Sequence, residues 1–552
     1  MSDTAVRSHG VTVFAALHEA LARATGWRAM AVAMLLGAFA SLAFAPFHAT
    51  PVLIVSYVGL IWMIDGARGQ KRWGKAVFAR GWGFGFGFFL ISLYWTAAPF
   101  LVEPEKHAIF IWMPLLLLPG GMALIWGAAM SMGGAFWSAS PSRVFIFAFF
   151  FMLGESVRGS LFGGFPWNLP GTSWIPGGGV SQAAALGGVY WLSLLTLIAC
   201  AAPAALVDTR NRRGLAVRLL PTAGSVVVLA MIWAWGAQRV SEPVALTDRN
   251  VVLMDAGIPQ KEKFGADGYA NPELFRTYLE WLRADPGEPG DIIVWPEGAI
   301  GTLLLDDRQL VPTAEYLGER TLVAGTTRQQ SAPGGGYEWF NSLVVLGQES
   351  AVTGASGLYD KHRLVPVGEL AAARIVPFGE AISGILPGAI QRMATSGFTP
   401  GVGPAIVYGD NVPPFVAMIC YEALYPQIAR RAQREAGHRA DWLVVISNDA
   451  WFGAMIGPAQ HYAQNRYRAI ETGLPMVRVA SRGASAVIDG YGRELARARP
   501  AETGHAGWRG RYLRAPLPAP QAQPLYQWRG GTALFPMTLI LVALLAFFFW
   551  RR

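Results

Sequence analysis

The stretch Val416–Glu422, with the sequence VAMICYE, is an apolar run that ends in a cysteine, a tyrosine and a glutamate. An apolar run of this length bounded by polar residues is typical of a buried β-strand. Because the strand ends of open α/β sheets carry the chemistry, Cys420 is a candidate nucleophile. The pattern is weak by itself, since a lone cysteine after a strand is more often a packing residue.

Two other strand ends supply partners for a thiol. Ile292–Glu297 (IIVWPE) delivers a carboxylate after an apolar run, and Tyr359–His362 (YDKH) delivers a lysine. A thiol needs help to ionise, so Glu297 is the candidate general base, and Lys361 is the candidate for stabilising an oxyanion. This set describes acyl transfer through a thioester. A Cys–His pair with His362 or His461 is the alternative, although neither sequence context favours it.

The surrounding sequence alternates short β-rich runs with helical patterns, which predicts a layered α/β domain over 241–530. The predicted strands are Asn250–Met254, Asp291–Trp295, Arg320–Ala324, Ser342–Leu346, Phe415–Ile419, Trp442–Ser447, Val477–Ala480 and Ser485–Ile488. The predicted helices lie near 271–284, 308–318, 425–437 and 457–473.

The composition of the 552-residue chain excludes an ordinary soluble enzyme. Apolar residues make up 53% and charged residues only 15%, whereas soluble proteins have roughly 45–50% and about 25%. Residues 1–240 contain 16 Lys and Arg against 7 Asp and Glu, so the net charge of +9 lies entirely in this apolar half. Such a basic excess indicates cytoplasmic loops beside membrane spans and says nothing about nucleic acid. The chain's two cysteines, Cys200 and Cys420, exclude a disulfide framework, and no His/Cys cluster has the spacing of metal ligands.

Charge-poor intervals of about 20 residues predict the membrane spans. Two spans fit between Arg28 and Asp65, and one each fits at Gly81–Val102, 108–135, Val144–Ser160, 181–205, Leu219–Gln238 and Thr532–Trp550. The chain thus divides into a membrane domain with seven spans (1–240), the α/β domain (241–530), and a last span with a basic tail (531–552). The distribution of Lys and Arg predicts cytoplasmic termini and an extracytoplasmic α/β domain.

The spacing of Glu297, Lys361 and Cys420 resembles that of the nitrilase superfamily, whose members use a Glu-Lys-Cys set. With the predicted spans, nearly the whole chain resembles the bacterial apolipoprotein N-acyltransferase family of that superfamily. The segments Glu155–Gly171, Gly257–Gln260 and Ser447–Gly453 also resemble this family. The resemblance implies an α-β-β-α sandwich that is extracytoplasmic on the bacterial inner (plasma) membrane.

The resemblance also implies a reaction and its participants. A phospholipid donates an acyl chain to Cys420, and the thioester then acylates the α-amino group of a diacylglyceryl-modified apolipoprotein. Membrane lipids are expected partners, the protein is expected to be a monomer, and no cofactor, metal or nucleic acid is expected. A membrane-tethered amidase with the same three residues and a transporter with an extracytoplasmic domain are the alternatives.

The family's supporting residues carry over by position. Glu369 corresponds to a second functional glutamate, although the echo of Val365–Glu369 (VPVGE) in Val376–Glu380 (VPFGE) leaves Glu380 as an alternative. The resemblance gives Tyr421 and Glu422 supporting roles. Phe264, Asn448, Trp451 and Phe452 are candidate substrate contacts, Trp451 and Phe452 because aromatic loop residues are favourable at the membrane interface. Phe264 stands near the position of a functional tryptophan in the family. The role of that tryptophan would here require a different aromatic residue in its place.

Overall fold

The computed structural model describes residues 14–138, 140–207, 214–263, 271–285, 287–303, 311–332, 335–350, 354–366, 368–369, 397–501 and 509–551. The chain divides into two compact units. The first contains Met1–Ser160, Pro166–Arg239 and Trp528–Arg552, and the second contains Leu161–Phe165 and Val240–Gln527.

The first unit is built from helices that coincide with the charge-poor intervals of the sequence. Its longer helices are Gly26–Ala40, Val52–Arg68, Trp73–Ser92, Leu118–Ala135, Ser142–Arg158, Ala184–Ala201, Leu215–Val240 and Arg529–Arg551. The helix Trp73–Ser92 begins eight residues before the span predicted at Gly81, so that prediction was wrong at its start. The helix tolerates Arg80 because the guanidinium donates to the backbone carbonyls of Ala76 at 3.0 Å and Ala24 at 2.8 Å.

Alternating glycines let the helix Trp73–Ser92 pack closely on two sides. A Cβ on Gly87 would lie 2.0 Å from the carbonyl oxygen of Met34, in the helix Gly26–Ala40. A Cβ on Gly81 would lie 2.9 Å from Cβ of Met130, in the helix Leu118–Ala135. Small residues at helix contacts are typical of membrane helices, where close backbone approach replaces hydrophobic burial as the source of stability.

Among the described residues, five helices are long and apolar enough to cross a membrane. They are Gly26–Ala43, Ala108–Ala135, Val180–Leu206, Leu215–Val240 and Gly531–Phe548. A sixth span results if Trp73–Ser92 and Tyr94–Leu101, bent by 47°, are taken together. The remaining predicted spans fall on Val52–Arg68 and Ser142–Arg158, which have 17 residues each. At about 1.5 Å per residue each of these is about 25 Å long, so the total of eight spans stays a prediction.

A buried ion pair lies at the end of the helix Ser142–Arg158. Glu155 and Arg158 pair within this helix, and both side chains are fully buried. The indole N–H of Trp126 donates to Glu155 at 2.7 Å, and Arg158 donates to the backbone carbonyl of Trp167 at 2.9 Å. The pair therefore fixes the chain on both sides of the loop that follows the helix.

The second unit contains two β-sheets, described here by strands β1 to β14. The strands are β1 Leu246–Asp255, β2 Ile292–Val294, β3 Ile300–Leu303, β4 Thr321–Ser331, β5 Tyr337–Leu346, β6 Gly357–Asp360, β7 Ile406–Gly409, β8 Val412–Ile419, β9 Trp442–Asn448, β10 Met476–Ser481, β11 Ala486–Ile488, β12 Glu494–Arg497, β13 Arg499–Ala501 and β14 Gly510–Pro518. One sheet has the order β13-β14-β1-β2-β4-β5-β6 with β3 beside β4, and the other has the order β12-β11-β10-β9-β8-β7. Parallel pairing joins β1, β2 and β4 in the first sheet and β8, β9 and β10 in the second.

The two sheets pack face to face. One apolar cluster contains Val251, Val294 and Val345 of the first sheet together with Phe415 and Val444 of the second. The opposite face of the first sheet packs on the helices Pro272–Ala284 and Val311–Leu317. The helices Pro426–Ala436 and Gly457–Thr472 connect the parallel strands of the second sheet. The layers are therefore helix, sheet, sheet and helix.

The predicted strands and helices of this unit lie where the sequence placed them, except in the polar half of one hairpin. Strands β4 and β5 pair from Leu322 opposite Leu346 to Ser331 opposite Tyr337. The prediction ended at Ala324 and began again at Ser342, because the outer half of this hairpin is polar and lacks an apolar run. The strands β3, β6, β7, β12, β13 and β14 were not among the predicted strands. Four of them, β7, β12, β13 and β14, carry polar residues that interrupt an apolar pattern.

A five-residue segment from the first half of the chain belongs to the second unit. The carbonyl of Gly163 accepts from Arg363 at 2.6 Å and from the hydroxyl of Tyr425 at 3.0 Å. The carbonyl of Gly164 accepts from the hydroxyls of Tyr425 and Tyr421. These bonds explain why Leu161–Phe165 lies in this unit, which the sequence did not indicate.

Candidate active site

Cys420 lies on a sharp elbow at the end of strand β8. Its φ of +52° is in the left-handed region, which is uncommon for a residue with a Cβ and marks a position that the surroundings must hold. A 3₁₀ turn, Cys420–Leu424, follows directly. The side chain of Glu422 accepts the backbone N–H of Ile419 at 2.9 Å and thereby closes the elbow from below.

Glu297 follows strand β2 through the Trp295-Pro296 turn. It is 9% exposed, and both of its carboxylate oxygens are engaged. Oε1 accepts from the side chain of Asn341 at 2.7 Å and from Nζ of Lys361 at 3.5 Å. Oε2 accepts from the backbone N–H of Asn448 at 2.8 Å. The carboxylate is therefore fixed in orientation while its remaining lone pairs can still accept a proton.

Lys361 lies between two carboxylates. The residue is 1% exposed, and its ammonium group donates to Glu369 at 2.7 Å in addition to Glu297. Burial alone would lower the pKa of Lys361, but the charges of Glu369 and Glu297 outweigh burial and raise this pKa above its ordinary value. The ammonium group keeps its charge, and one of its three N–H groups is left for another acceptor.

The thiol of Cys420 is electrostatically coupled to the same two residues. Burial and then the negative charge of Glu297 raise the pKa of Cys420, while the positive charge of Lys361 acts in the opposite direction and is outweighed. At neutral pH the group is therefore a thiol, and any nucleophilic attack by the sulfur requires this proton to leave. The structure thus brings Glu297, Lys361 and Cys420 into one buried cluster.

Asn341 is a site residue that the sequence analysis missed. Its side-chain amide donates to Glu297 at 2.7 Å and to Glu369 at 2.9 Å, so one NH₂ group bridges the two carboxylates. Its backbone carbonyl also accepts from the N–H of Lys361 at 2.8 Å. An asparagine directly before the apolar run of β5 was the available signal, but the predicted strand began one residue later, at Ser342.

Glu422 connects the lysine segment to the cysteine elbow. Its Oε1 accepts from the hydroxyl of Tyr359 at 2.8 Å and from the backbone N–H groups of His362 and Arg363, at 3.0 and 3.1 Å. Its Oε2 holds the elbow before Cys420. The side chain of His362 also contacts Glu422 at 2.7 Å, so His362 is a partner of this carboxylate in the structure.

Of the two candidates for the second functional glutamate, Glu369 lies within the described residues. Glu369 contacts Lys361 and Asn341, and its Oε2 accepts the backbone N–H of Val365 at 2.9 Å. Glu380 lies outside the described residues, and so does Phe264, one of the predicted substrate contacts. The position of Glu369 agrees with the assignment that spacing from Lys361 favours.

The predicted residues after strand β9 have different environments. The side-chain amide of Asn448 donates to Gln260 at 2.8 Å, which attaches the segment around Gln260 next to Glu297. Trp451 is 40% exposed, whereas the half-buried ring of Phe452 packs edge-on against His461 with centroids 5.5 Å apart. Tyr421 is buried, stacks on Phe165 and donates its hydroxyl to Gly164.

The second unit has a nitrilase-like carbon-nitrogen hydrolase fold. The family model for carbon-nitrogen hydrolases matches residues 288–506, which include Glu297, Lys361 and Cys420. The amidase of Nesterenkonia AN1, from the nitrilase superfamily, is 13% identical to this chain, and the match covers 52% of this chain and 94% of that one with a TM-score of 0.32.

Further comparisons identify the particular family. The model for the apolipoprotein N-acyltransferase N-terminal domain matches residues 36–202. The apolipoprotein N-acyltransferase of Rhodopseudomonas palustris is 33% identical over 541 residues, which is 94% of this chain and 96% of that protein. The protein of the same name from Caulobacter vibrioides is 35% identical over 480 residues, covering 85% of this chain and 86% of that protein. This chain belongs to the apolipoprotein N-acyltransferase family.

Proposed function

We propose that the protein transfers a fatty acyl chain from a membrane phospholipid to the α-amino group of the N-terminal diacylglyceryl-cysteine of apolipoproteins. Two facts support this proposal: the chain belongs to the apolipoprotein N-acyltransferase family over most of its length, and it combines apolar helices with a buried cluster suited to acyl transfer. The observation that carries the mechanism is the position of Lys361. Its ammonium group lies between Glu297 and Glu369 and interacts electrostatically with Cys420.

In the first half-reaction the sulfur of Cys420 attacks an ester carbonyl of the phospholipid. The thiol proton passes to Glu297, and Lys361 stabilises the oxyanion of the tetrahedral intermediate. The carbon–oxygen bond to glycerol then breaks, and the protonated Glu297 returns the proton to the leaving oxygen. The products are a lysophospholipid and a thioester on Cys420.

In the second half-reaction the α-amino nitrogen of the apolipoprotein attacks the thioester carbonyl. Glu297 takes a proton from the nitrogen, and Lys361 again stabilises the oxyanion. The carbon–sulfur bond breaks, an amide forms, and the sulfur leaves as a thiol with the proton from Glu297. Water must be kept away between the two halves, because it would hydrolyse the thioester.

The neighbouring residues have supporting roles in this mechanism. Glu369 keeps Lys361 charged and oriented, a role supported by their 2.7 Å contact. Glu422 positions the lysine segment and the elbow, and Tyr421 anchors the elbow to Gly164. Asn448 orients Glu297 through its backbone. We assign Trp451, Phe452 and Phe264 to contacts with the lipid substrates, for which the exposure of Trp451 gives support.

The arrangement in the membrane completes the proposal. The chain crosses the bacterial inner membrane eight times with both termini in the cytoplasm, and residues 241–530 lie on the periplasmic side. The basic segments around Lys71, Arg143 and Arg212 support this orientation. The residues of the proposed mechanism come from one compact unit of one chain, so a monomer suffices for the proposed reaction.

The proposal is tested with the detergent-purified protein, a phospholipid of defined acyl chain and a synthetic diacylglyceryl-cysteine peptide. We expect release of lysophospholipid together with N-acylation of the peptide by the wild type and by Cys200→Ala, but not by Cys420→Ala. Cys200 is the matched control because it is the chain's other cysteine and is also buried. Ammonia from small amides without lysophospholipid would instead indicate an amidase, and neither product would leave the transporter alternative.

A further inference from the structure

A buried charge cluster lies behind the nucleophile and has no part in the mechanism above. Asp449 contacts Nδ1 of His461 at 3.0 Å and accepts from Arg478 at 2.8 Å and from the hydroxyl of Ser447 at 2.7 Å. The side chains of Asp449, His461 and Arg478 are fully buried. Arg478 is itself fixed by Asn465, whose Oδ1 accepts from its Nε at 2.8 Å.

The imidazole of His461 connects this cluster to the backbone of the nucleophile. Its Nδ1 faces Asp449 and Arg478, and its Nε2 lies 3.3 Å from the carbonyl oxygen of Cys420. A carbonyl oxygen only accepts hydrogen bonds, so Nε2 is the donor in this bond. Phe452 packs edge-on against the ring.

The bond from His461 meets the chain at a residue with a left-handed backbone. Cys420 has the left-handed φ of +52°, a conformation that a residue with a Cβ keeps only when its surroundings hold it. Glu422 holds the residue before it through the N–H of Ile419, and His461 holds the carbonyl of Cys420 itself. The elbow is thus fixed on both sides of the nucleophile.

We propose that His461, oriented by Asp449, is a positioning residue that holds the backbone of Cys420 so that its sulfur meets Glu297 and the acyl carbonyl together. This inference rests on the proposed role of Cys420 as the acylated residue. His461 acts through the Cys420 carbonyl and takes no proton from the thiol, in contrast to the Cys–His pair considered from the sequence.

Two amide substitutions separate this role from simple packing. The amide nitrogen of glutamine stands at the same number of bonds from Cα as Nε2 of histidine, and that of asparagine at the same number as Nδ1. His461→Gln therefore keeps a donor for the Cys420 carbonyl, whereas His461→Asn keeps only a group that faces Asp449. Both substitutions remove the aromatic ring and its contact with Phe452, so they match as controls for packing.

The experiment measures the burst of p-nitrophenol as a p-nitrophenyl ester acylates Cys420 in the full-length protein. We expect His461→Asn to lower the burst rate constant by about 10²-fold at an unchanged half-saturating ester concentration, and His461→Gln to retain most of the rate. Equal losses in both variants, no loss in His461→Asn, or a greater loss in His461→Gln would overturn the proposal.

Thermal unfolding shows whether His461→Asn is folded. If it folds poorly, a second variant tests the proposal. Asp449→Asn removes the charge that orients the imidazole, and we expect it to slow the burst at unchanged half-saturation; an unaltered burst would overturn the proposed role of Asp449. The burst needs neither a phospholipid nor an apolipoprotein. A wild type that gives the burst without N-acylating the peptide would therefore contradict the proposed function and still allow the test of His461.

Discussion

At the scale of single residues, the surroundings of Cys420 keep its sulfur protonated and also provide a carboxylate that could take this proton. Cys420 is a buried thiol beside a carboxylate, and both burial and the charge of Glu297 raise its pKa. In the proposed mechanism the same carboxylate takes the proton during attack. Glu297 therefore disfavours the free thiolate, and in the proposed mechanism it favours the transition state of acyl transfer.

Substitution of Glu297 by glutamine separates these two effects. Removal of the negative charge lowers the pKa of Cys420, so at pH 8 the thiolate fraction and the rate of alkylation by iodoacetamide rise. Acyl transfer falls by about 10²- to 10⁴-fold because the general base is lost. Both rates are measured in a Cys200→Ala background. Slower alkylation in Glu297→Gln would contradict the electrostatic account of the thiol.

The two alternative glutamates give a second prediction at this scale. Glu369→Gln removes one of the two charges that raise the pKa of Lys361 and leaves the ammonium less well oriented. We expect the turnover rate of N-acylation to fall by about 10²-fold, as for the loss of an oxyanion donor. Glu380→Gln is the matched control and retains most of the rate. The opposite ranking would transfer the role to Glu380.

At the scale of secondary-structure elements, the sequence predicted the parts that apolar periodicity controls. Strands β2, β8 and β9 are buried on both faces and read as continuous apolar runs, which is why their ends at Glu297 and Cys420 could be found. The bridge through Asn341 could not be found, because the amide contacts residues 44 positions before it and 28 positions after it in the chain.

The link between Asp449, His461 and Arg478 was missed for a similar reason, although His461 was considered as a partner of Cys420. The three residues of this link lie on three successive elements, namely the turn after β9, the helix Gly457–Thr472 and strand β10. No short spacing links them, and the pairing of β10 with β9 brings them together. The left-handed backbone of Cys420 also leaves no sequence signal, since left-handed positions usually carry glycine.

The buried ion pair in the helix Ser142–Arg158 gives a prediction about stability. Arg158→Met leaves the carboxylate of Glu155 without its charged partner, and loss of one member of a buried pair costs about 3–5 kcal/mol. We expect a lower thermal unfolding temperature in detergent. Glu155→Gln with Arg158→Met recovers part of the loss, because glutamine is uncharged and still accepts from Trp126. A double variant less stable than Arg158→Met would contradict this account.

At the scale of the whole molecule, composition identified a membrane protein, while the number of spans and their orientation stay predictions. Lys and Arg are concentrated in alternate loops of residues 1–240, and this asymmetry carries the proposed topology. The sequence analysis divided the chain into continuous ranges, and the segment Leu161–Phe165 does not follow that division. It lies between two helices of the first unit and belongs to the second, because hydrogen bonds from distant tyrosines and an arginine hold it there.

The proposed topology is tested by labelling single surface cysteines in intact spheroplasts. Gln348→Cys and Lys71→Cys are both exposed positions, and each is introduced into a chain in which Cys200 and Cys420 are replaced by alanine. A membrane-impermeant maleimide should label Cys only in the Gln348→Cys protein, and both proteins after lysis. Labelling of the Lys71→Cys protein alone in spheroplasts would place residues 241–530 in the cytoplasm.

The central claim is that Cys420 carries an acyl chain taken from a phospholipid. The most direct test incubates the purified protein with a phospholipid of defined acyl chain, traps it in acid, and measures the mass of the peptide that contains Cys420. The account predicts one acyl adduct on this peptide, removed by hydroxylamine and absent from Cys420→Ala. An unmodified Cys420 in folded protein with lipid in excess would contradict it.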